Sequence, residues 1–340
     1  MVLTDNCGRP LLNLRVAITQ RCNLRCDYCH KEGEENRTQG IAKEMTVDEI
    51  VRITRIAVSL GISRIKLTGG EPLMRKDVSE IVKGIAAIPD VKDLSMTTNG
   101  TMLGFIAQEL HACGLRRVNI SLPTLNAETY SKLTEGRIEN ALEGVKAAVA
   151  AGFCPVKLNM VVLNGVNVEA VQEMMDFARQ TGTILQLIEL DPINVDDAYY
   201  SMYHKFLDEH EEMLRQKALT VETRRFMHNR RIYHLPDVTV EVVHPTENGE
   251  FCAHCTRLRV TSDGKLKPCL MRNDNLVDIL APMRRGANDE ELKELFIRAN
   301  QVREPYNKNV QAYSQDTKYS TTTSESIKDY RAKRQQKHVE

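Results

Sequence analysis

Six apolar, strand-like runs recur along the N-terminal part of this chain, each followed by a segment with helical spacing. The runs are LRVAIT (14–19), RIKLT (64–68), LSMTT (94–98), RVNISL (117–122), VKLNMVVL (156–163) and ILQLIEL (184–190). Between them, TVDEIVRITRIAVSL, FIAQELHAC, ENALEGVKAAVAA and EAVQEMMDFARQ place apolar residues at i, i+3 and i+4. Thr46 and Glu49 predict a capping box, and Gly114, Gly152 and Gly182 stand where helices stop. Such βα units demand a parallel sheet with helical crossovers. Six units exceed a small flavodoxin-like sheet and fall short of an eightfold barrel. The period alone therefore leaves two α/β solutions, an open doubly wound sheet or a partial barrel.

After about residue 220 the rhythm changes. RRIYHL, VTVEVVH and RLRVTSDGKLKPCL predict short antiparallel strands, the last pair turning at Asp263-Gly264. The expected organisation is a large domain over 9–220, a smaller module over 221–305, and a polar tail over 306–340 that is expected to be flexible. Forty-six basic residues balance forty-six acidic ones, so bulk charge favours neither nucleic acid nor membrane as a partner. No run approaches eighteen apolar residues, and MVLTDNCGRP does not read as a secretory signal. A cytoplasmic location is expected, and any anion site must be local.

The nine cysteines are unevenly spread. Cys22, Cys26 and Cys29 make a C-x3-C-x2-C array in RCNLRCDYCH, and Cys252, Cys255 and Cys269 make a second triad. Clustered thiols in such a chain point to metal rather than disulfides. Zinc would need a fourth ligand, with His30 or His254 at hand. An iron–sulfur cubane takes four thiolates, so three would leave one iron open to chelate a small molecule. TGGEP (68–72) follows the second strand, where Gly69 and Gly70 would let a ligand approach the backbone. TTNG (97–100) and Ser121 end the next strands on the same side, where α/β enzymes collect ligands. Arg257 and Arg259 alternate on one strand and share a face suited to a polyanion such as a triphosphate.

C-x3-C-x-aromatic-C followed by GGEP resembles the signature of the radical S-adenosylmethionine superfamily. CAHCTRLRVTSDGKLKPCL narrows the resemblance to the GTP 3′,8-cyclase family of molybdenum cofactor biosynthesis, over most of residues 9–305. The resemblance implies a partial (βα)6 TIM-type barrel with a C-terminal domain carrying a second cluster. It implies two [4Fe–4S] clusters, held by Cys22, Cys26 and Cys29 and by Cys252, Cys255 and Cys269. It assigns S-adenosylmethionine to Tyr28, Gly69, Gly70, Glu71, Asn99 and Ser121, and GTP to Arg15, Lys66, Thr97, Lys157, Arg257 and Arg259. An electron donor, a downstream cyclic pyranopterin monophosphate synthase and a homodimer belong to the same expectation, with no nucleic acid and no membrane.

Departures from the family pattern accompany it. Lys66 and Gln186 stand at arginine positions, Asp191 at a methionine position, and Pro123 interrupts Ser-Leu-Asp; the chain ends KHVE rather than in two glycines. Two other readings compete: a relative in the same superfamily acting on a peptide or a different small molecule, which would typically carry more C-terminal cysteines, and a zinc-dependent nucleic-acid-binding protein, which neutral charge disfavours. Cys113, Cys154, Met174 and Met175 read as core residues, and His204, His210, His228, His234 and His244 as surface or structural ones.

Overall fold

The computed structural model describes residues 2–34, 44–246 and 248–307. The tail expected to be flexible lies outside them from residue 308 onward. All six expected strands form: β1 (Asn13–Ala17), β2 (Arg64–Thr68), β3 (Asp93–Thr98), β4 (Arg117–Ser121), β5 (Val156–Val162) and β6 (Ile184–Glu189). They pair in chain order and in parallel. Helices α1 (Val47–Ser59), α2 (Val78–Ala86), α3 (Leu103–Ala112), α4 (Ala127–Thr134), α5 (Ile138–Ala150) and α6 (Val171–Thr181) make the crossovers. The Thr46–Glu49 capping box opens α1, and Gly182 closes α6 in the left-handed region at φ 63°.

The C-terminal strands do not make a separate sheet. After α7 (Asp197–Tyr203) and α8 (Asp208–Lys217) come β7 (Thr220–Arg224), β8 (Arg230–His234) and β9 (Thr239–Val243). Then follow α9 (Gly249–Ala253), β10 (Arg257–Val260), β11 (Lys265–Lys267), β12 (Val277–Asp278), α10 (Leu280–Arg284) and α11 (Asp289–Gln301). The β8–β9 and β10–β11 ladders are antiparallel, as expected, the latter turning at Asp263-Gly264, and β7 and β12, not foreseen in the sequence, add antiparallel ladders to β8 and β11. However, β9 pairs in parallel with β6, and β10 in parallel with β1. A strand's alternation reports its buried face but not its direction. Adding a parallel strand at each end gives partners to N–H and C=O groups that an edge would leave open. Among the described residues the result is one twelve-stranded sheet, with β12 and β7 at its two ends and β10, β1–β6 and β9 as its parallel centre.

The two faces of that centre differ sharply in polarity. Val16, Leu67, Met96, Ile120, Leu158 and Leu187 join apolar residues of the helices in one core, each worth about 1.5–3 kcal/mol on burial. The alternate positions, such as Arg15, Lys66, Thr97, Asn119, Lys157 and Gln186, face a cavity on the other side. Met174 and Met175 lie in the core as expected, whereas Cys113 and Cys154 are only half-buried. No helix among the described residues is long and apolar enough to cross a membrane.

Candidate active site

The cavity, of about 330 Å³, brings together all eighteen residues proposed from the sequence. They are Cys22, Cys26, Cys29, Tyr28, Gly69, Gly70, Glu71, Asn99 and Ser121, then Arg15, Lys66, Thr97, Lys157, Arg257 and Arg259, with Cys252, Cys255 and Cys269. Strands β1–β5 and β10, helix α9 and the loops after β1, β2, β3, α9 and β11 contribute them, so only the parallel sheet could assemble the set.

The first triad lies on the loop after β1, which has little regular structure and is held by its neighbours. Arg25 and Asp27 N–H groups donate to Thr134 and Leu133 carbonyls at 2.9 and 3.2 Å. Gly70 and Glu71 N–H groups donate to Thr19 and Arg21 carbonyls at 2.8 and 2.7 Å. A Cβ at Gly69 would sit 2.2 Å from the Thr19 oxygen, and one at Gly70 would sit 2.3 Å from the Arg21 oxygen. The missing side chains are thus used by the chain itself: two bare residues let the cysteine loop dock on β2. Sequence reasoning had reserved that space for a ligand.

Glu71 is buried and accepts from the Asn99 N–H (2.6 Å), the Thr98 hydroxyl (2.7 Å) and the Leu73 N–H (3.1 Å). Burial outweighs those donors and pushes its carboxyl up to about 7. Asn99 also reaches Asn23 Oδ1 at 2.9 Å, tying β3 to the cysteine loop.

All six clustered cysteines are free thiols. Burial raises Cys22, Cys26 and Cys29, and Cys26 reaches about 12 because Cys29 and Cys22 stand beside it. In the second triad burial also raises Cys269. Cys255 goes the other way: burial pushes it up, but Arg303 and Arg9 hold its thiolate lower. Arg9 donates to the Cys252 carbonyl at 2.9 Å and Arg303 to the Cys255 carbonyl at 2.7 Å. Among the described residues no three Cys, His, Asp or Glu groups gather tightly enough for a single metal ion. His30 Nδ1 accepts from the Glu32 N–H at 3.0 Å, and His254 Nδ1 lies 2.9 Å from the Glu250 carbonyl. Two sets of three soft thiols suit a multi-iron group, whose positive charge would draw off their protons.

Cations crowd the middle of the cavity, and two buried acids organise them. Glu32 accepts from Arg259 (2.5 Å), Thr68 (2.8 Å) and Arg15 (3.3 Å). Burial would raise its carboxyl, but Arg15 and Arg259 hold it well below the usual range. Glu241, on β9, pairs with Lys157, with Arg224 at 2.9 Å and with Arg230 at 3.5 Å. Burial lowers Lys157 to about 8 despite that partner. Lys66 is held well below its ordinary value by burial and by Arg15, with Nζ donating to Asn119 Oδ1 at 2.9 Å. Burial and Arg230 depress Arg257, which donates to Met227 Sδ at 3.3 Å. Five basic side chains share two carboxylates, and Lys66 and Arg257 add to the excess. That excess of positive charge suits a polyanion.

Two family models match this chain: the Radical SAM superfamily over residues 16–178 and Molybdenum Cofactor Synthesis C over residues 183–309. A probable GTP 3′,8-cyclase of Thermococcus kodakarensis is 49% identical over 313 residues, covering 90% of this chain and 99% of its own. One from Methanocaldococcus jannaschii is 42% identical, covering 89% and 99%. The chain belongs to the GTP 3′,8-cyclase family. The crystal structure of Streptococcus suis SuiB shares the fold, with a TM-score of 0.60 at 16% identity over 87% of this chain and 68% of its own. Membership of the radical SAM superfamily implies S-adenosylmethionine and a [4Fe–4S] cluster.

Within this GTP 3′,8-cyclase family member, several cavity residues escaped sequence reasoning. Glu32, Arg117, Arg224, Arg230 and His228 all line the cavity, and Glu241 lies just beneath it. One signal was available: β1–β5 alternate polar with apolar residues, whereas a parallel sheet covered on both faces reads as nearly all apolar. His228, expected in a surface or structural role, is 6% exposed and sits in the cavity wall because the β7–β8 turn folds over α9. At the divergent positions, Gln186 lies in register with Glu241, and Asp191 Oδ1 is buried without a partner.

Proposed function

We propose that this protein cyclises GTP to its isomer (8S)-3′,8-cyclo-7,8-dihydroguanosine 5′-triphosphate, opening molybdenum cofactor biosynthesis. The observation that carries the reading is that two incomplete thiol triads and a basic cluster share one cavity. Cys22, Cys26 and Cys29 would hold a [4Fe–4S] cluster with one iron open. When bound, it supplies reductive cleavage of S-adenosylmethionine to a 5′-deoxyadenosyl radical, which takes hydrogen from the ribose C3′ so that this carbon can join guanine C8. Glu71, anchored on Asn99 and Thr98, offers its carboxylate to the methionyl ammonium. Tyr28, Gly69, Gly70 and Ser121 complete that half. Cys252, Cys255 and Cys269 would hold a second cluster facing the base. Arg15, Lys66, Thr97, Lys157, Arg257 and Arg259 would bind the nucleotide, and the surrounding protein walls exclude water from the radical. An electron donor and a downstream synthase complete the reading.

The test is an anaerobic reaction of iron-reconstituted protein with S-adenosylmethionine, dithionite and GTP, followed by mass spectrometry. 5′-Deoxyadenosine together with an isomer of GTP is expected. Deoxyadenosine beside untouched GTP would refute the substrate, and zinc without iron would refute the whole reading. Cys29→Ser should abolish deoxyadenosine. Arg257→Ala should weaken GTP binding, and unchanged affinity would overturn the triphosphate assignment.

A further inference from the structure

Two guanidiniums and one carboxylate from opposite ends of the chain are buried together beside the second thiol triad. The side chains of Asp5 and Arg303 have no exposed surface, and that of Arg9 keeps 4%. Asp5 Oδ2 accepts from Arg9 Nε at 2.8 Å and lies 3.5 Å from Arg303 Nη1. Asp5 Oδ1 is taken by the Cys7 and Arg9 N–H groups, at 3.0 and 2.9 Å. Two cations thus share one carboxylate, and one positive charge is left over where solvent does not reach. A buried charge without a counter-charge is costly, so a further anion must complete the set.

The nucleotide does not supply that anion, because Arg303 does not line the cavity. What both guanidiniums meet is the cysteine loop: Arg9 Nη1 donates to the Cys252 carbonyl at 2.9 Å, and Arg303 Nη2 to the Cys255 carbonyl at 2.7 Å. Arg303 Nη1 also donates to Asn300 Oδ1 at 3.0 Å, which fixes the fork against the loop. Burial would depress both guanidiniums, and the Cys255 sulfur and then Asp5 act against it, so that Arg9 ends above its ordinary value and Arg303 below. The other cations near the triad are committed elsewhere: Arg259 to Glu32, Arg257 to Met227 Sδ, and Lys267 to the Arg272 carbonyl and Asn273.

We propose that Arg9 and Arg303, balanced against Asp5, set the reduction potential of the second cluster. The inference rests on the second-cluster reading given above. Three thiolates on a [4Fe–4S] core make a group of net negative charge, and taking up one electron adds one more. A fixed positive charge beside it favours the reduced form and raises the potential. The two arginines act through the cysteines and touch no substrate, so they are positioning residues, and the single leftover charge gives each substitution a definite sign.

The test is an anaerobic redox titration of the iron-loaded protein followed by electron paramagnetic resonance, reading the signal that added S-adenosylmethionine leaves unchanged. Arg9→Gln keeps an N–H donor but loses the charge, and should lower the potential by about 59 mV or more, a tenfold shift in a one-electron equilibrium. Arg303→Gln should do the same, whereas Arg9→Lys should stay near wild type. Asp5→Asn removes the counter-charge and should shift the potential upward. A merely structural role would move all of these variants together, through lost iron, and would not give Gln and Asn substitutions opposite signs. An unchanged potential in Arg9→Gln, or a fall in Asp5→Asn, would overturn the inference alone. If the arginine variants fail to fold, the sign of the Asp5→Asn shift decides. A wild type that loads iron at the first triad only would remove the second-cluster reading and this inference with it.

Discussion

Gly70→Ala tests whether the docking of the cysteine loop on β2 is a packing requirement. The new Cβ would lie 2.3 Å from the Arg21 oxygen, 2.5 Å from the Gln20 oxygen and 2.7 Å from the Arg21 carbonyl carbon. Since ordinary contact begins at 3.4 Å, the Arg21 carbonyl must retreat by about 1 Å. That movement breaks the 2.7 Å bond from the Glu71 N–H and strains the 2.8 Å bond from the Gly70 N–H. Each loss in a buried setting costs about 1–2 kcal/mol, so the substitution should destabilise by about 2–4 kcal/mol. Urea denaturation measures this directly. The same shift carries Cys22 away from Cys26 and Cys29, so iron content after anaerobic reconstitution should fall by about half while the second triad still loads. Gly165→Ala is the control. Gly165 has φ 66° but nothing within 4 Å of the added Cβ, so only left-handed strain of about 1 kcal/mol applies. If Gly70→Ala cost no more than Gly165→Ala and kept its full iron, the close approach would not be what the glycine provides.

Glu241→Gln leaves Lys157, Arg224 and Arg230 without their shared carboxylate, and should destabilise the nucleotide-free protein by about 3–5 kcal/mol in a thermal melt. Added GTP should recover much of the loss, and no response to GTP would contradict a shared polyanion site. His244 gives a pH test. Burial would lower its imidazole, but Glu189 at 2.6 Å and Glu211 at 3.2 Å raise it to about 9. Because its folded value lies above its unfolded one near 6.5, the stabilisation is full below about pH 6.5 and is lost as pH rises toward about 9. His244→Asn should flatten stability across that window, and an unchanged slope would refute the ion pair. Cys269→Ser should halve reconstituted iron yet still allow deoxyadenosine formation, measured by chromatography. Loss of deoxyadenosine would show that the two triads do not act separately.

The legible parts of this protein are those written in short-range patterns. Strand positions followed from apolar runs, the start of α1 from Thr46 and Glu49, and both thiol triads from spacing alone. Arg257 and Arg259 share a face because side chains alternate on a strand, and they line the cavity together. The directions of β9 and β10 were not legible, since alternation is the same whichever way a strand runs. Glu32 and Glu241 were missed for a related reason. An isolated glutamate looks like any solvated charge until the sheet brings Arg15, Arg259, Lys157, Arg224 and Arg230 around it.

Sequence by itself determined part of the chemistry: both thiol triads, the Arg257–Arg259 pair, and that a parallel sheet would present its loop ends on one side. Only the tertiary structure decided what meets what. It set Gly69 and Gly70 against the Thr19 and Arg21 carbonyls, placed His228 in the cavity wall, and gave three cations one carboxylate. The physical reason is range. Periodicity and capping act over a few residues, whereas burial and Coulomb interactions depend on distances in space, and Glu32 meets Arg259 across 227 positions of chain.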